Sequence, residues 1–184
     1  MWVENASTHN TIDATLVRDT GAGGIRVGTG KPLQDVPDGS DHNTLVDSTV
    51  VQGSAVYHEG NGLLIQKVSH TTVLRCEVAY FNHVGISVGW TWTYTPSEAN
   101  HNVVQDCHVH HLGNGDLSDL AGIYFLGISP GSAAIGNHVH DSYPYYQYGH
   151  GICECSEYRC SDACFVLTQW LSLQTPTRRR PTFA

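Results

Sequence analysis

The sequence predicts an all-β fold, a right-handed, single-stranded parallel β-helix of about five coils over residues 1–152. Three observations predict it. A motif recurs at about 31 residues, its apolar runs are only a few residues long, and the composition is that of strands and turns.

Internal repeats decide architecture before local propensity does. The first unit runs from His9-Asn10-Thr11-Ile12 through Val17 to Gly24-Ile25-Arg26-Val27. The second runs from His42-Asn43-Thr44-Leu45 through Val50 to Gly62-Leu63-Leu64-Ile65. The third runs from His70-Thr71-Thr72-Val73 through Val78 to Gly85-Ile86-Ser87-Val88. The fourth runs from His101-Asn102-Val103-Val104 through Val109 to Gly122-Ile123-Tyr124-Phe125. The fifth runs from Ser132-Ala133-Ala134 through Val139 to Gly151-Ile152. Val73 to Val104 and Val78 to Val109 are each 31 residues, and Val109 to Val139 is 30.

Each unit has strands too short to bury a core alone, so units must stack and share one. Adjacent coils would then lie about 4.8 Å apart, as strands do in any sheet. Asn at the turns tolerates the left-handed conformation and can stack into a ladder from coil to coil. An all-β sandwich shows turn signals every 8–12 residues but seldom a repeated His-Asn-x-apolar frame. A leucine-rich repeat would be shorter and richer in Leu.

Composition bounds the rest. The 184 residues are 40% hydrophobic and 14% charged, too apolar for a disordered chain. Gly is abundant at 19, while Met (1) and Lys (2) are scarce, which speaks against long helices. The net charge is −8, with 16 acids against 5 Lys/Arg in residues 1–158. Such a body repels nucleic acid and anionic membrane surfaces, so neither is expected as a partner, and neutral sugars suit it better. No apolar run of about 20 residues spans a membrane. Met1-Trp2-Val3-Glu4-Asn5 does not read as a signal peptide. The chain begins inside a repeat, as a piece of a longer solenoid would. Residues 153–184 lose the Gly-apolar rhythm, carry four Arg and four of the six Cys, and read as an atypical tail, disordered, frame-shifted or an imperfect cap.

Loops, not coils, should hold a site. Trp90, Trp92 and Tyr94 alternate, so an extended backbone presents them on one side, either as a platform for sugar rings or as packing under the loop. Asp116 and Asp119 precede the Gly122-Ile123-Tyr124 strand, and Asp119 lies 35 residues before Glu154. Glycoside cleavage needs two carboxyls, and one coil of separation can bring two acids to one groove. His108-Val109-His110-His111 and His138-Val139-His140 repeat on adjacent coils, with the valines inward and the histidines outward. Those histidines suit a substrate groove, a polar ladder or a transition metal; no metal or cofactor is assigned. Cys76 and Cys107 occupy one coil position, as stacked thiols or as a disulfide, the thiols being the simpler reading. Cys153, Cys155, Cys160 and Cys164 match zinc spacing only loosely, because Cys-x-Cys is narrow.

The ordered set Gly85 to Trp92, His108 to Gly113, Leu117 to Gly127, Pro130-Gly131 and His138 to Asp141 resembles the pectin-lyase-like parallel β-helix proteins. Within them it is most similar to the glycoside hydrolase family 141 group, which includes fucosidase and xylanase activities. The resemblance covers residues 70–152 closely and residues 9–69 as generic coils. It implies a catalytic acid at Asp119, within Ser118-Asp119-Leu120-Ala121-Gly122-Ile123-Tyr124. It implies a second acid after the next Gly-Ile strand, where the chain reads Gly151-Ile152-Cys153-Glu154 and Glu154 is the nearest carboxylate. It also implies a secreted, periplasmic or cell-surface protein acting on polysaccharide or oligosaccharide.

The leading expectation is therefore part of a glycoside hydrolase, with Asp119 as nucleophile or base and Glu154 as acid. Trp90, Trp92, Tyr94, Asp116, His110, His111, Tyr124 and His140 would hold the sugar. Two alternatives stand beside it. A polysaccharide lyase would need a basic residue or Ca²⁺ for a uronate, and Lys67 and Arg75 are the only basic residues near the middle coils, which argues against it. A non-catalytic, sugar-binding or adhesive solenoid would keep the aromatic loop without depending on Asp119.

Overall fold

A computed structural model describes residues 1–29, 39–92 and 95–145, together with the backbone of residues 165–167. The short apolar runs form strands, beginning with β1 (Trp2–Val3). The first coil is β2 (Thr11–Asp13), β3 (Leu16–Arg18) and β4 (Ile25–Val27). The second is β5 (Thr44–Val46), β6 (Thr49–Val51) and β7 (Leu63–Ile65). The third is β8 (Thr72–Leu74), β9 (Glu77–Phe81) and β10 (Ile86–Val88). The fourth is β11 (Val103–Gln105), β12 (His108–Leu112) and β13 (Ile123–Phe125). A fifth opens with β14 (Ala133–Ile135) and β15 (His138–Ser142), and β16 (Phe165–Leu167) follows.

These strands stack into three parallel sheets: sheet A is β1-β4-β7-β10-β13-β16, sheet B is β14-β11-β8-β5-β2, and sheet C is β15-β12-β9-β6-β3. The chain is thus a parallel β-helix, four coils complete and a fifth begun. Val73, Val104 and Ala134 fall in one register column, as the repeat requires. β16 takes the rung on β13 that the repeat assigns to Gly151-Ile152. That pair and all four cysteines of the tail lie outside the described residues. Among the described residues no helix is long and apolar enough to cross a membrane.

The core is one column of inward side chains: Ile25, Leu63, Ile86 and Ile123 from sheet A, Leu45, Val73 and Val104 from sheet B, and Val50, Val78 and Val109 from sheet C. All are almost wholly buried, and each contributes about 1.5–3 kcal/mol through removal from water. Val3, Ile12, Val17 and Ala134 are only partly covered.

Three corners close each coil, and each holds a residue with positive φ. His9, His42, His70, His101 and Gly131 form the first such column. Ala14, Asp47, Arg75, Asp106 and Gly136 form the second, and Asp19, Gln52, Tyr80, His111 and Asp141 the third. His and Asp tolerate this conformation better than most residues. The repeated His-Asn pair divides its labour differently from the expectation. The histidine takes the left-handed corner, and its ring stacks on the next at 4.5–5.0 Å. The asparagine points inward and bonds between coils. Asn102 Oδ1 accepts from the Thr71 backbone N–H at 2.9 Å, and Asn102 Nδ2 donates to the Val68 carbonyl at 2.9 Å. A buried amide with both ends satisfied stabilises the corner instead of costing desolvation energy. Cys76 and Cys107 are free, buried thiols one above the other.

The Gly before each sheet A strand has a steric cause. A Cβ on Gly24, Gly62, Gly85 or Gly122 would collide with the Cγ1 of Val50, Val78, Val109 or Val139 respectively. Sheet C valines therefore fill the space that these glycines leave open. Gly122→Ala, whose Cβ would meet Val139 first, is expected to cost about 1–3 kcal/mol by overpacking. In urea unfolding, Gly122→Ala combined with Val139→Ala should be less destabilised than the sum of the two single variants. Strict additivity would break the proposed contact.

Candidate functional site

Middle residues of the sheet A strands point out of the coil. Their register forms one outward column of Trp2, Arg26, Leu64, Ser87 and Tyr124. Two loops cover its far end. The loop after β10 carries Trp90 and Trp92, and the loop between β12 and β13 carries Asp116, Asp119, Leu120 and Ala121. Val84, Leu120, Ala121, Tyr124 and Leu126 form a small second core there, with Trp90 packed against it. The alternation of Trp90 and Trp92 does bring both rings together, edge to face at 6.1 Å. Tyr94 and Glu154 lie outside the described residues.

Between these loops and the uncovered column runs a groove of about 530 Å³, lined by Arg26, Glu59, Asn61, His83, Trp90 and Asp119 among others. It continues into a recess of about 60 Å³ where Trp92 and Tyr124 join Trp90, His83 and Asp119. A groove of this size takes a few sugar rings or a comparable small ligand.

Asp119 sits exposed at the groove with a left-handed backbone, φ 56°. Its Oδ1 accepts a hydrogen bond from the Tyr124 hydroxyl at 3.3 Å. Burial, helped by the negative charge of Asp119, pushes the Tyr124 phenol up to about 12. Tyr124 is therefore a permanent donor to that carboxylate at neutral pH.

His83 and Asn61 were not singled out by the sequence. His83 Nδ1 lies 3.0 Å from Asn61 Oδ1, so the amide oxygen holds the proton on Nδ1. Burial lowers the His83 pKa, with the charge of Asp119 pulling the other way. Arg26 was missed as well. Its place in Gly24-Ile25-Arg26-Val27, between two inward residues, aims it outward by strand alternation. Its Nη2 pairs with Glu4 Oε2 at 2.9 Å, and its guanidinium lies 4.1 Å above the Trp2 ring. Neither cation named from the sequence lines this groove: Lys67 is buried, and Arg75 pairs with Asp47 at 2.6 Å on another face.

The remaining sequence candidates lie elsewhere. Asp116 is exposed and faces His58 at 3.2 Å. His110, His111 and His140 belong to sheet C, and none is among the residues that line the Asp119 groove. They gather with His108 in a cluster of their own. His108 Nε2 and His140 Nε2 are 2.7 Å apart, and His110 Nδ1 and His111 Nδ1 are 2.7 Å apart. Burial, and then repulsion from neighbouring imidazoles, lowers the pKa of His108; burial does the same for His110 against the pull of Glu77.

The comparisons with known proteins agree with this architecture. No family model and no curated protein sequence matches the chain. A solved structure described as "Glycoside hydrolase" is similar to it, with a TM-score of 0.71 and 25% identity over 77% of this chain and 25% of that one. The chain is a parallel β-helix related to that protein and spans a quarter of its length.

Acidification should weaken this site. The pKa of His83 lies below 6.5 in the folded state, so the unfolded chain takes up the proton first as pH falls. The stability that neutral His83 contributes is full above pH 6.5 and is lost as pH falls toward the folded value. His83→Gln is expected to flatten the decline in urea midpoint between pH 7.5 and 5.5. An unchanged slope would rule out His83 as its source.

Proposed function

We propose that the chain is the part of a glycoside hydrolase that binds a polysaccharide or oligosaccharide along sheet A and supplies a catalytic carboxylate, Asp119. The observation that carries this reading is the convergence of Asp119, its Tyr124 donor and the Trp90 ring on one groove. Trp90 and Trp92 offer the apolar faces on which sugar C–H surfaces stack. A carboxylate with one fixed donor beside such a platform can act as nucleophile or base on an anomeric carbon. Similarity to a glycoside hydrolase supports the same class of chemistry.

Glycoside hydrolysis needs a second carboxyl. Among the described residues Glu59, from the loop between β6 and β7, lines the same groove. Glu154 keeps the role implied by the family resemblance. The two candidates make different predictions, because Glu59 lies on the second coil and Glu154 in the tail.

The test is turnover of a panel of aryl-glycosides and xylan. Asp119→Asn is expected to lower kcat by a factor of about 10²–10⁴ while leaving sugar affinity nearly unchanged. Trp90→Ala should raise Kd instead. A matching loss of kcat in Glu59→Gln or in Glu154→Gln would identify the partner acid. Sugar binding with no turnover in either wild type or Asp119→Asn would favour the adhesive solenoid and overturn the hydrolase.

A further inference from the structure

The imidazole cluster on sheet C is a second site, independent of what the groove binds. We propose that His108, His110 and His140 bind one divalent transition-metal ion of the zinc, nickel or copper kind. One ring nitrogen from each of the three lies within 4.8 Å of the others. The register of β12 on β15 places His108 beside His138 and His110 beside His140, so two neighbouring coils supply the ligands. The rings are stacked, His110 on His140 at 5.1 Å and 2° and His108 on His138 at 5.1 Å and 5°, so binding requires the His110 ring to rotate until its nitrogen points at the ion.

The hydrogen bonds around the cluster orient the nitrogens for this role. His140 Nδ1 lies 2.7 Å from Asp141 Oδ2, so Nδ1–H donates to the carboxylate and the lone pair sits on Nε2. That Nε2 faces His108 Nε2 at 2.7 Å. Two neutral imidazoles can meet so closely only if one proton sits between them. A metal ion can replace that proton as His108 moves its own to Nδ1, with no net release. His110 Nε2 lies 3.2 Å from Glu77 Oε1, which anchors its proton, and Nδ1, the nitrogen left for the ion, gives up its 2.7 Å contact with His111 Nδ1 on binding. Glu77 and Asp141 together offset the two positive charges an ion brings. A carboxylate–histidine pair behind a metal fixes the tautomer and raises ligand basicity.

Binding requires the three nitrogens, now within 4.8 Å of one another, to converge on one ion. Zn–N bonds of about 2.0–2.1 Å at tetrahedral angles separate ligand nitrogens by about 3.3 Å. His108 and His140 would open by about 0.6 Å from their present contact, within reach of small side-chain rotations. Imidazole donors suit zinc, copper and nickel, whereas calcium and magnesium prefer oxygen. Three protein ligands leave a tetrahedral ion a fourth position open to water or a small anion.

Two other features contain histidine or cysteine and must be separated from this one. The His9–His42–His70–His101 stack is a corner ladder whose nitrogens, among the described residues, form no cluster of three ligands. The tail carries four cysteines. The experiment is titration of the chelator-treated full chain with cobalt(II), read by visible absorption and calorimetry, with zinc(II) as competitor. The expected result is one ion per chain, a nitrogen and oxygen spectrum without a thiolate charge-transfer band, and a higher Tm with zinc. His108→Ala and His140→Ala should each weaken binding at least tenfold. Asp141→Asn, which touches no metal, should weaken it by about 10–100-fold and keep the native far-UV spectrum. His70→Asn should bind as wild type does. If an alanine variant does not fold, loss of affinity in Asp141→Asn and zinc-induced ¹⁵N shifts at His108 and His140 in wild type carry the test. No binding, a thiolate spectrum, or equal affinity in wild type and the His108→Ala/His140→Ala double variant would overturn the site.

Discussion

Equal spacing of the coil corners is the constraint on which the molecule depends. From first to second corner the count is five residues in every coil: His9 to Ala14, His42 to Asp47, His70 to Arg75, His101 to Asp106 and Gly131 to Gly136. It is five again from second to third corner, from Asp19 after Ala14 to Asp141 after Gly136. A single residue more or less on these sides would turn every inward side chain to solvent. Backbone hydrogen bonds then lock coil to coil, as in Val103 to the Thr71 carbonyl and His108 to the Cys76 carbonyl, both at 2.9 Å.

The third side obeys no such count. The run from third corner to next first corner is 23 residues after Asp19, 18 after Gln52, 21 after Tyr80 and 20 after His111. Loop closure grows slowly with length, about 0.6 kcal/mol per doubling, so this side can vary at little cost. Sheet A lies on that side, flanked by every variable loop. The groove sits there because this is where side chains can be added without breaking register. Sheet C, on a fixed side, can carry only what strand positions themselves supply. Its cluster accordingly consists of residues at adjacent rungs, not of loop residues.

Much of this was legible in the residues. The near-equal spacing of Val73, Val104 and Ala134, 31 and then 30 residues, pointed to the stack, since short strands repeated at such a period share a core by piling up. The Gly-Ile-x-apolar frame located sheet A, and the Trp90-x-Trp92 alternation located one wall of the groove. His83, Asn61 and Glu59 were not legible. They precede or follow strands in loops of unequal length, and nothing in their spacing says that Asp119 of a later coil will reach them. The outward histidines were seen, but their face was not assigned correctly in relation to Asp119. Only the register shows that β12 and β15 lie in a different sheet from the strands beneath Asp119. Arg26 was legible from strand alternation, whereas Lys67 is buried and Arg75 is paired with Asp47 away from the groove.

The charges in the groove bear on its ligand more than the net charge of the chain does. Among its described lining residues Asp119 and Glu59 are acids and Arg26 is the cation of fixed charge. Arg26 is already committed, to Glu4 on one side and to the Trp2 ring on the other. An incoming uronate would have to displace Glu4 to reach it, exchanging one carboxylate for another with little gain. Burial lowers the His83 pKa, and its Nδ1 proton is directed to Asn61, so it brings no full charge at neutral pH. Neutral sugar hydroxyls can donate to the Asp119 and Glu59 carboxylates, and the indole faces take the apolar side of the ring. On the hydrolase reading proposed above, these groups favour an uncharged glycan over a uronate and weigh against elimination chemistry.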